Sequence, residues 1–178
     1  MTARTSQPVD MRCITSHVLK EAHEEGAWSC CWVPGGARAF ITGAVDETVK
    51  LWGITDDGIT PQKTFAGQAG HTLGVISVAV DPSGEWAASS ALDSFVRVWS
   101  LQDQASEKAL LESKPTEVWS IAFSPLKGKC IVAGAGGSTG KVKLWDVTSI
   151  APGSKTAPEP TLIDAVRSFA SLNASKRA

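Results

Sequence analysis

The sequence predicts an all-β fold made of three repeated, four-stranded antiparallel sheets. Three similar stretches carry this prediction, and each contains one tryptophan: Asp46–Trp52, Asp93–Trp99 and Gly140–Asp146. These tryptophans are 47 and then 46 residues apart, and each closes a run in which apolar and polar residues alternate. Such alternation is typical of a half-buried strand. A period in the forties with about four strands per repeat is the pattern of a β-propeller blade, so we expect three blades of an incomplete ring.

The first repeat, about residues 13–65, follows a polar segment at residues 1–12 that we expect to be a flexible tail. Short alternating runs in this repeat are separated by turn residues such as Pro34–Gly36 and Asp46. These patterns favour strands joined by tight turns. The expected strands lie in Cys13–Lys20, Trp28–Trp32, Ala39–Thr42, the run that ends at Trp52, and Gln62–Phe65.

The second and third repeats, about residues 66–111 and 112–147, keep the same order. In the second repeat, the proline and glycine of Asp81–Gly84 mark a reverse turn. The expected strands are Val75–Val80, Trp86–Ser89, the run to Trp99 and Glu107–Leu111, then Val118–Phe123, Cys130–Ala133 and the run to Trp145.

Residues 148–160 read as a connector rich in proline, serine and lysine, and residues 161–178 as a C-terminal segment. That segment can be the last strand of the third repeat. Alternatively, Leu162, Val166 and Phe169 have the spacing of a short amphipathic helix.

The composition argues against several classes of function. The chain has 17 basic and 18 acidic residues and a formal net charge of −1, so no positive field gathers nucleic-acid phosphates. Neither a secretory signal nor an apolar run of the roughly 20 residues that span a bilayer is evident. None of the four cysteines forms a Cys-x-x-Cys pair, which favours reduced thiols. We therefore expect a soluble intracellular protein with no direct nucleic-acid or membrane binding.

Short motifs within the repeats resemble those of the WD-repeat family. Gly70-His71 matches the family's Gly-His dipeptide, and Ala22-His23 keeps its histidine. Trp145-Asp146 matches the family's Trp-Asp dipeptide, while the other two repeats keep only the tryptophan. The resemblance covers roughly residues 13–147. It implies a β-propeller, and related members have seven blades, about four more than this sequence contains.

The resemblance also implies a hydrogen-bonded quartet in each complete blade. Its members would be His23, Thr42, Asp46 and Trp52 in the first repeat, and His71, Ser89, Asp93 and Trp99 in the second. Buried imidazole, hydroxyl, carboxylate and indole groups can satisfy one another, so such a set is physically sound. In the third repeat Ala133 replaces the hydroxyl, and the longer turn Gly134–Gly140 has no aspartate. We expect this quartet to be lost and this turn to be the most mobile.

Two features suggest an enzyme, and other features of the sequence argue against both. The Asp-His-Ser set could form a catalytic triad, but it recurs at the repeat spacing, which favours a structural role. The turn that ends at Gly140-Lys141 resembles a phosphate-binding loop, but its glycine spacing is wrong and Val142 stands where a hydroxyl is needed. We expect no catalytic residue, no cofactor and no metal.

Three stretches are similar to the WD-repeat subunit of the superkiller complex, which animals and plants also place in the polymerase-associated factor complex: Ala22–Ser29, Gly70–Val78 and Ala87–Asp93. This resemblance implies a scaffold in RNA decay, transcription elongation or both, located in the nucleus and the cytoplasm. The implied partner is a helical-repeat scaffold with a short docking motif. The alternative is another WD-repeat adaptor, such as a substrate receptor of a ubiquitin ligase.

In propellers of this family, residues beside the first strand of each blade and before the turn aspartate surround one mouth of the channel. By alignment these are Trp28, Ile76, Trp119, Val45 and Leu92. Apolar residues at equivalent positions predict a contiguous patch for a protein partner. The alternative is packing between blades, because strict alternation places Trp28 on the same face as Trp32, which we expect in the core.

In a closed ring each blade buries its faces against neighbouring blades. Three repeats are too few to close such a ring. We expect a truncated or alternatively spliced product, with self-association as a consequence. A ring completed by a second copy and an open arc that needs a partner are the alternatives.

Overall fold

A computed structural model describes residues 17–66, 70–102, 107–112, 117–126, 131–136, 141–149 and 161–164. These residues form twelve strands in three sheets, and each sheet has four antiparallel strands in sequential order. The predicted all-β fold of antiparallel four-stranded blades is therefore confirmed. The predictions for residues 1–16, Cys130, the turn at 137–140, the connector at 150–160 and residues 165–178 lie outside the described residues.

Blade one consists of β1 (Ala27–Trp32), β2 (Ala39–Ala44), β3 (Val49–Thr55) and β4 (Gly58–Phe65). The turn between β2 and β3 is tight because Glu47 adopts a left-handed backbone, with φ at 66°. The Asp46 carboxylate accepts the N–H of Thr48 at 3.1 Å, which closes the turn from the side-chain end.

The strand predicted before blade one is wrong where the structure describes it. His17–Leu19 are irregular, and a turn begins at Lys20. Glu21 has a φ of 57°, a left-handed conformation that ends any extended run.

Blade two consists of β5 (Val75–Val80), β6 (Trp86–Ala91), β7 (Phe95–Ser100) and β8 (Glu107–Glu112), and blade three of β9 (Ser120–Phe123), β10 (Ile131–Ala135), β11 (Lys141–Asp146) and β12 (Thr161–Asp164). β12 pairs with β11, with Ile163 opposite Val142. The C-terminal segment is therefore a strand at these four residues.

The blades pack face to face, with their first strands β1, β5 and β9 adjacent. One apolar cluster joins blades one and two: Ile41, Val49, Leu51 and Phe65 with Val75, Val78, Ala87 and Trp99. A second cluster joins blades two and three and includes Val96, Val98, Leu111, Ile121 and Trp145. We call the face that a blade turns to the preceding blade its upstream face, and the opposite face its downstream face.

Strand pairing sets which residues are equivalent between blades. Lys50 and Arg97 each lie two residues before the tryptophan of their third strand. Lys50 pairs with Thr42, and Arg97 pairs with Ser89. The equivalent Lys143 pairs with Gly134. The alignment of Ala133 with the hydroxyl residues is therefore wrong by one position, because the longer turn of blade three shifts the count along the chain.

Candidate functional site

The structure brings the four predicted residues of blade two together. Nδ1 of His71 lies 2.8 Å from Oδ2 of Asp93, and Nε2 lies 2.8 Å from Oγ of Ser89. The indole N–H of Trp99 donates to the same hydroxyl oxygen at 2.8 Å. Since the carboxylate only accepts, Nδ1 carries the proton in the neutral imidazole and Nε2 accepts from the hydroxyl. The result is one chain of hydrogen bonds from indole to carboxylate.

Blade one has the same arrangement. Nδ1 of His23 lies 2.9 Å from Oδ2 of Asp46, and Nε2 lies 2.7 Å from Oγ1 of Thr42. The indole N–H of Trp52 donates to Thr42 at 2.8 Å. The hydroxyl of Thr48 adds a bond to Asp46 at 2.7 Å, so the carboxylate organises the turn as well as the histidine.

Burial and hydrogen bonding act in opposite directions on the pKa of each turn aspartate. Burial raises the pKa of Asp46, but the hydroxyl and N–H of Thr48, the N–H of Glu24 and the His23 ring together hold it below its ordinary value. Burial likewise raises the pKa of Asp93, while His71 and the N–H groups of Phe95 and Thr72 lower it. Both carboxylates are thus held ionised by fixed donors.

Blade three lacks the network. Gly134 supplies no hydroxyl, and among the described residues the buried indole nitrogen of Trp145 has no hydrogen-bond partner. A Cβ on Gly134 would lie 2.8 Å from Cζ3 of Trp145 and 2.9 Å from Cγ1 of Val118. The tryptophan ring therefore takes the space that a hydroxyl side chain occupies in the other blades. Burial also lowers the pKa of Lys143 on the adjacent strand.

The quartets are poorly suited to catalysis. Ser89 is completely buried, and its oxygen is already engaged by two partners. A nucleophile needs access to a substrate, which this packing denies. Among the described residues no group of three or more His, Cys, Asp or Glu side chains could hold a metal ion.

Two of the predicted channel-mouth residues, Trp28 and Ile76, lie at β-bulges. The pairing of β1 with β2 shifts between Ala27 and Ser29, which leaves Trp28 as the extra residue. The pairing of β5 with β6 shifts in the same way at Ile76. A bulge re-aims a side chain away from strict alternation. Strict alternation therefore breaks at Trp28, and it does not place this side chain on the face of Trp32.

Trp119 occupies the equivalent position in blade three. Its N–H donates to the carbonyl of Ala135 at 3.0 Å, and Ala135 also pairs with Ser120. Two residues thus oppose one, as at the other two bulges.

Large apolar side chains remain exposed at this end of the blades. Trp28 and Trp119 are each 54% exposed, and Leu73 is 48% exposed, while Ile76, Val45 and Leu92 are half-buried. A Cβ on Gly74 would lie 3.4 Å from Cζ3 of Trp28, so this glycine lets the ring reach blade two. We call these six residues the mouth surface: Trp28, Val45, Leu73, Ile76, Leu92 and Trp119. Leu73 was not predicted from the sequence, because it lies before the strand. Its position two residues after His71 of the Gly-His motif is the signal that could have identified it.

The expectation that Trp32 lies in the core is wrong. Its side chain is 66% exposed and packs edge-on against Phe40, with ring centroids 5.7 Å apart. It lies on the upstream face of blade one, which no described residue of a further blade covers.

Three antiparallel blades with histidine–aspartate–tryptophan networks define a segment of a repeat-built β-propeller. The family described as "WD domain, G-beta repeat" (WD40) matches residues 12–53, 59–100 and 107–146. The second and third matches each contain the last strand of one blade and the first three of the next. Because the matches cover well over half of the chain, the protein belongs to the WD40 family. Members of this family generally serve as non-catalytic scaffolds.

Several curated proteins are similar to this chain in sequence. The chain is 45% identical over 134 residues to WD repeat-containing protein VIP3 of Arabidopsis thaliana, covering 74% of this chain and 39% of that protein. It is 38% identical over 114 residues to WD repeat-containing protein SL1-17 of Schistosoma mansoni, covering 62% and 36%. It is 30% identical over 148 residues to protein transport protein SEC13 of Phaeosphaeria nodorum, covering 73% and 48%. The chain thus spans less than half the length of these relatives. The described residues include no helix long and apolar enough to cross a membrane.

Proposed function

We propose that this protein is a non-catalytic scaffold subunit whose mouth surface binds a short segment of a larger protein subunit. The observation that carries the proposal is one structural feature that recurs in all three blades. Each blade places an apolar residue at a bulge position, and two of the three are tryptophans that are more than half exposed. Tryptophan is enriched among residues that dominate the energy of protein interfaces.

The surroundings of the mouth surface favour a segment with apolar and basic residues. Glu24 and Glu25 are exposed in the loop just before Trp28, and Glu117 lies beside Trp119. These acidic neighbours complement lysine or arginine residues that flank an apolar anchor. A short extended motif on a helical-repeat scaffold is the partner that we propose.

The complex that we propose is superkiller-like, polymerase-associated factor-like, or both. This assignment rests on the similarity of Ala22–Ser29, Gly70–Val78 and Ala87–Asp93 to the WD-repeat subunit of those complexes. It implies roles in RNA decay and transcription elongation, and a location in the nucleus and the cytoplasm. A substrate receptor of a ubiquitin ligase would use the same kind of surface. Identification of the co-purifying subunits by mass spectrometry separates these two functions.

The test of the mouth surface is an affinity pull-down with the variants Trp28→Ala and Trp119→Ala. We expect each substitution to weaken recovery of the partner subunits at least tenfold, and the pair to abolish it, while the melting temperature stays within a few degrees of wild type. The matched control is Trp32→Ala, because Trp32 lies on the same strand and is 66% exposed, but on the upstream face.

Full partner recovery by the double variant would contradict the proposal. A large fall in the melting temperature of Trp28→Ala would instead indicate that the ring packs between blades.

A further inference from the structure

A threonine-proline pair, Thr60 and Pro61, lies in β4, and a basic residue, Lys63, follows it. A hydroxyl residue directly before proline, with a basic residue at the third position after the hydroxyl, is the recognition pattern of proline-directed serine/threonine kinases. Proline keeps the residue before it extended, and these kinases bind their substrates as extended chains. Because so short a pattern also recurs by chance, the surroundings of Thr60 decide whether it can be modified.

Thr60 lies in an accessible and extended part of the fold. β4 is the last strand of the blade-one sheet, so it pairs with β3 on one side only. Thr60, Pro61 and Gln62 are all exposed. Proline is compatible with a strand at a sheet edge, where it interrupts no ladder. A kinase can therefore reach the Thr60 hydroxyl from the outer edge of the sheet.

Strand register places Thr60 on the downstream face of blade one, which is turned to blade two. Lys63 pairs with Leu51, which is buried in the cluster between the two blades. Thr60 pairs with Gly53, two residues further along β3 and hence on the same side. A register shift in this ladder makes Gln62 the extra residue of β4, so Thr60 and Lys63 share a face. Both blades that bound this position belong to the described part of the chain.

Two hydrogen-bond donors lie on the same face as Thr60. Nζ of Lys63 donates to the carbonyl of Ser100 in blade two at 3.0 Å, so its ammonium group crosses the junction between the blades. Ser100 holds the position of Gly53, since each directly follows the tryptophan of its third strand. The ammonium group is therefore directed to the level of Thr60. Gln62 folds over Gly53, where an added Cβ would collide with its Nε2. Ammonium and amide groups are both good donors to phosphate oxygens.

Gly53 also leaves this face without a carboxylate. The family's Trp-Asp dipeptide, which the third blade keeps as Trp145-Asp146, is Trp52-Gly53 in the first. An aspartate at position 53 would lie directly opposite Thr60, and its charge would repel a phosphate there. Blade one thus combines an exposed hydroxyl with a nearby cation and no opposing aspartate in the paired position.

We propose that Thr60 is a phosphorylation site for a proline-directed kinase, and that Lys63 holds the phosphate. ATP supplies the phosphoryl group: the γ-phosphorus forms a bond to Oγ1 of Thr60, its bond to the bridging oxygen of ADP breaks, and a base of the kinase takes up the hydroxyl proton. The phosphate then competes with the carbonyl of Ser100 for the Lys63 ammonium group, so the modification acts on the junction between blades one and two. This site lies at the end of the blades opposite to the mouth surface, and it does not depend on the proposed function.

The first test treats the full chain with ATP and a cyclin-dependent kinase, and separately with a mitogen-activated protein kinase, since both are proline-directed. Mass spectrometry of the digested protein identifies the modified residue. We expect incorporation at Thr60 and its loss in Thr60→Ala.

Ser124 is the matched control, because Ser124-Pro125-Leu126-Lys127 has the same pattern. Ser124 is half-buried, however, and its hydroxyl oxygen accepts the N–H of Leu126 at 3.2 Å. We therefore expect Ser124→Ala to keep full incorporation. Absence of phosphate from Thr60 with both kinases would overturn the proposal. Equal rates at Thr60 and Ser124 would also overturn it, because the surroundings of Thr60 would then decide nothing.

The second test asks whether Lys63 holds the phosphate, by a cycle of melting temperatures with and without phosphorylation. We expect phosphorylation to lower the melting temperature of Lys63→Met by several degrees and that of the wild type by much less, because only the wild type supplies a counter-charge. Lys50→Met is the control: Lys50 lies next to Leu51 on the opposite face of β3, so this variant should respond as the wild type does. Equal shifts in the wild type and Lys63→Met would exclude Lys63 as the partner of the phosphate.

Discussion

Blades two and three differ in the hydrogen bonds that surround a buried tryptophan. Each buries the tryptophan of its third strand, with Trp99 3% exposed and Trp145 completely buried. In blade two the indole N–H donates to Ser89, and the network continues to Asp93. In blade three Gly134 stands at the serine position, and the indole nitrogen of Trp145 has no partner among the described residues. Apolar packing is present in both blades, and the polar network only in one.

This difference separates what forms a blade from what stabilises it. Both tryptophans lie in an apolar cluster against the preceding blade. The four-stranded sheet forms in both cases, so burial of the apolar faces is sufficient for the architecture. The quartet adds satisfied hydrogen bonds and fixes the turn at Asp93, and its loss leaves a buried donor unpaired.

The largest effect that tests this comparison comes from two adjacent serines. Ser89→Ala leaves the N–H of Trp99 and Nε2 of His71 without a partner in a buried site. We expect this substitution to lower the free energy of unfolding by about 2–3 kcal/mol, measured by urea denaturation. Ser90 is the matched control, because it is equally buried but its hydroxyl has no partner among the described residues. Ser90→Ala should lie within about 0.5 kcal/mol of wild type or be more stable. Equal losses in the two variants would mean that the quartet contributes nothing beyond packing.

Periodicity made the blades predictable from the sequence. Alternation around Trp52, Trp99 and Trp145 is a local signal of strands, and equal spacing indicates repeated units. In the two quartets, the hydroxyl residue and the aspartate each lie at a constant distance from their tryptophan, and the distance of the histidine differs by only one residue. Where the turn is longer, in blade three, counting fails by one residue, and only the pairing of Gly134 with Lys143 shows the true equivalence.

The exposure of Trp32 and the direction of Trp28 could not be predicted from the same pattern. The alternation of β1 places Trp32 on a face that is a core face in the other blades. Whether that face is covered depends on a neighbouring blade and leaves no local trace in the sequence. The direction of Trp28 depends on a bulge, which is set by pairing with β2 and not by β1 itself.

A smaller effect tests whether blade three can be converted to the state of blade two. Gly134→Ser restores the residue type, but its Cβ would meet the ring of Trp145 and the side chain of Val118. We expect a loss of about 1–2 kcal/mol in urea denaturation from overpacking, rather than a repaired hydrogen bond. Ala135→Ser, at the next and exposed position, is the control and should stay within about 0.5 kcal/mol of wild type. A stabilised Gly134→Ser variant would show that the ring moves aside and accepts the new partner.

The smallest effect is a pH dependence that only a blade with a turn aspartate can have. The pKa of Asp93 is lower in the folded protein than its ordinary value of about 3.9, so the unfolded chain binds more protons in acid and the free energy of unfolding rises with pH. The stabilisation is present above the ordinary pKa and is lost as the pH falls through the folded value.

Asp93→Asn removes this group, so between about pH 5 and about pH 3 its free energy of unfolding should fall less steeply than that of the wild type. The difference in slope should be small, because the substitution removes only one titrating carboxylate and Asp46, whose pKa is also lowered, still titrates in both proteins. Asp56→Asn is the control, since Asp56 is 91% exposed in its ion pair with Arg38, and such surface pairs contribute little. Parallel slopes for wild type and Asp93→Asn would show that the blade-two network does not depend on the charge of its carboxylate, and blades two and three would then differ only in their neutral hydrogen bonds.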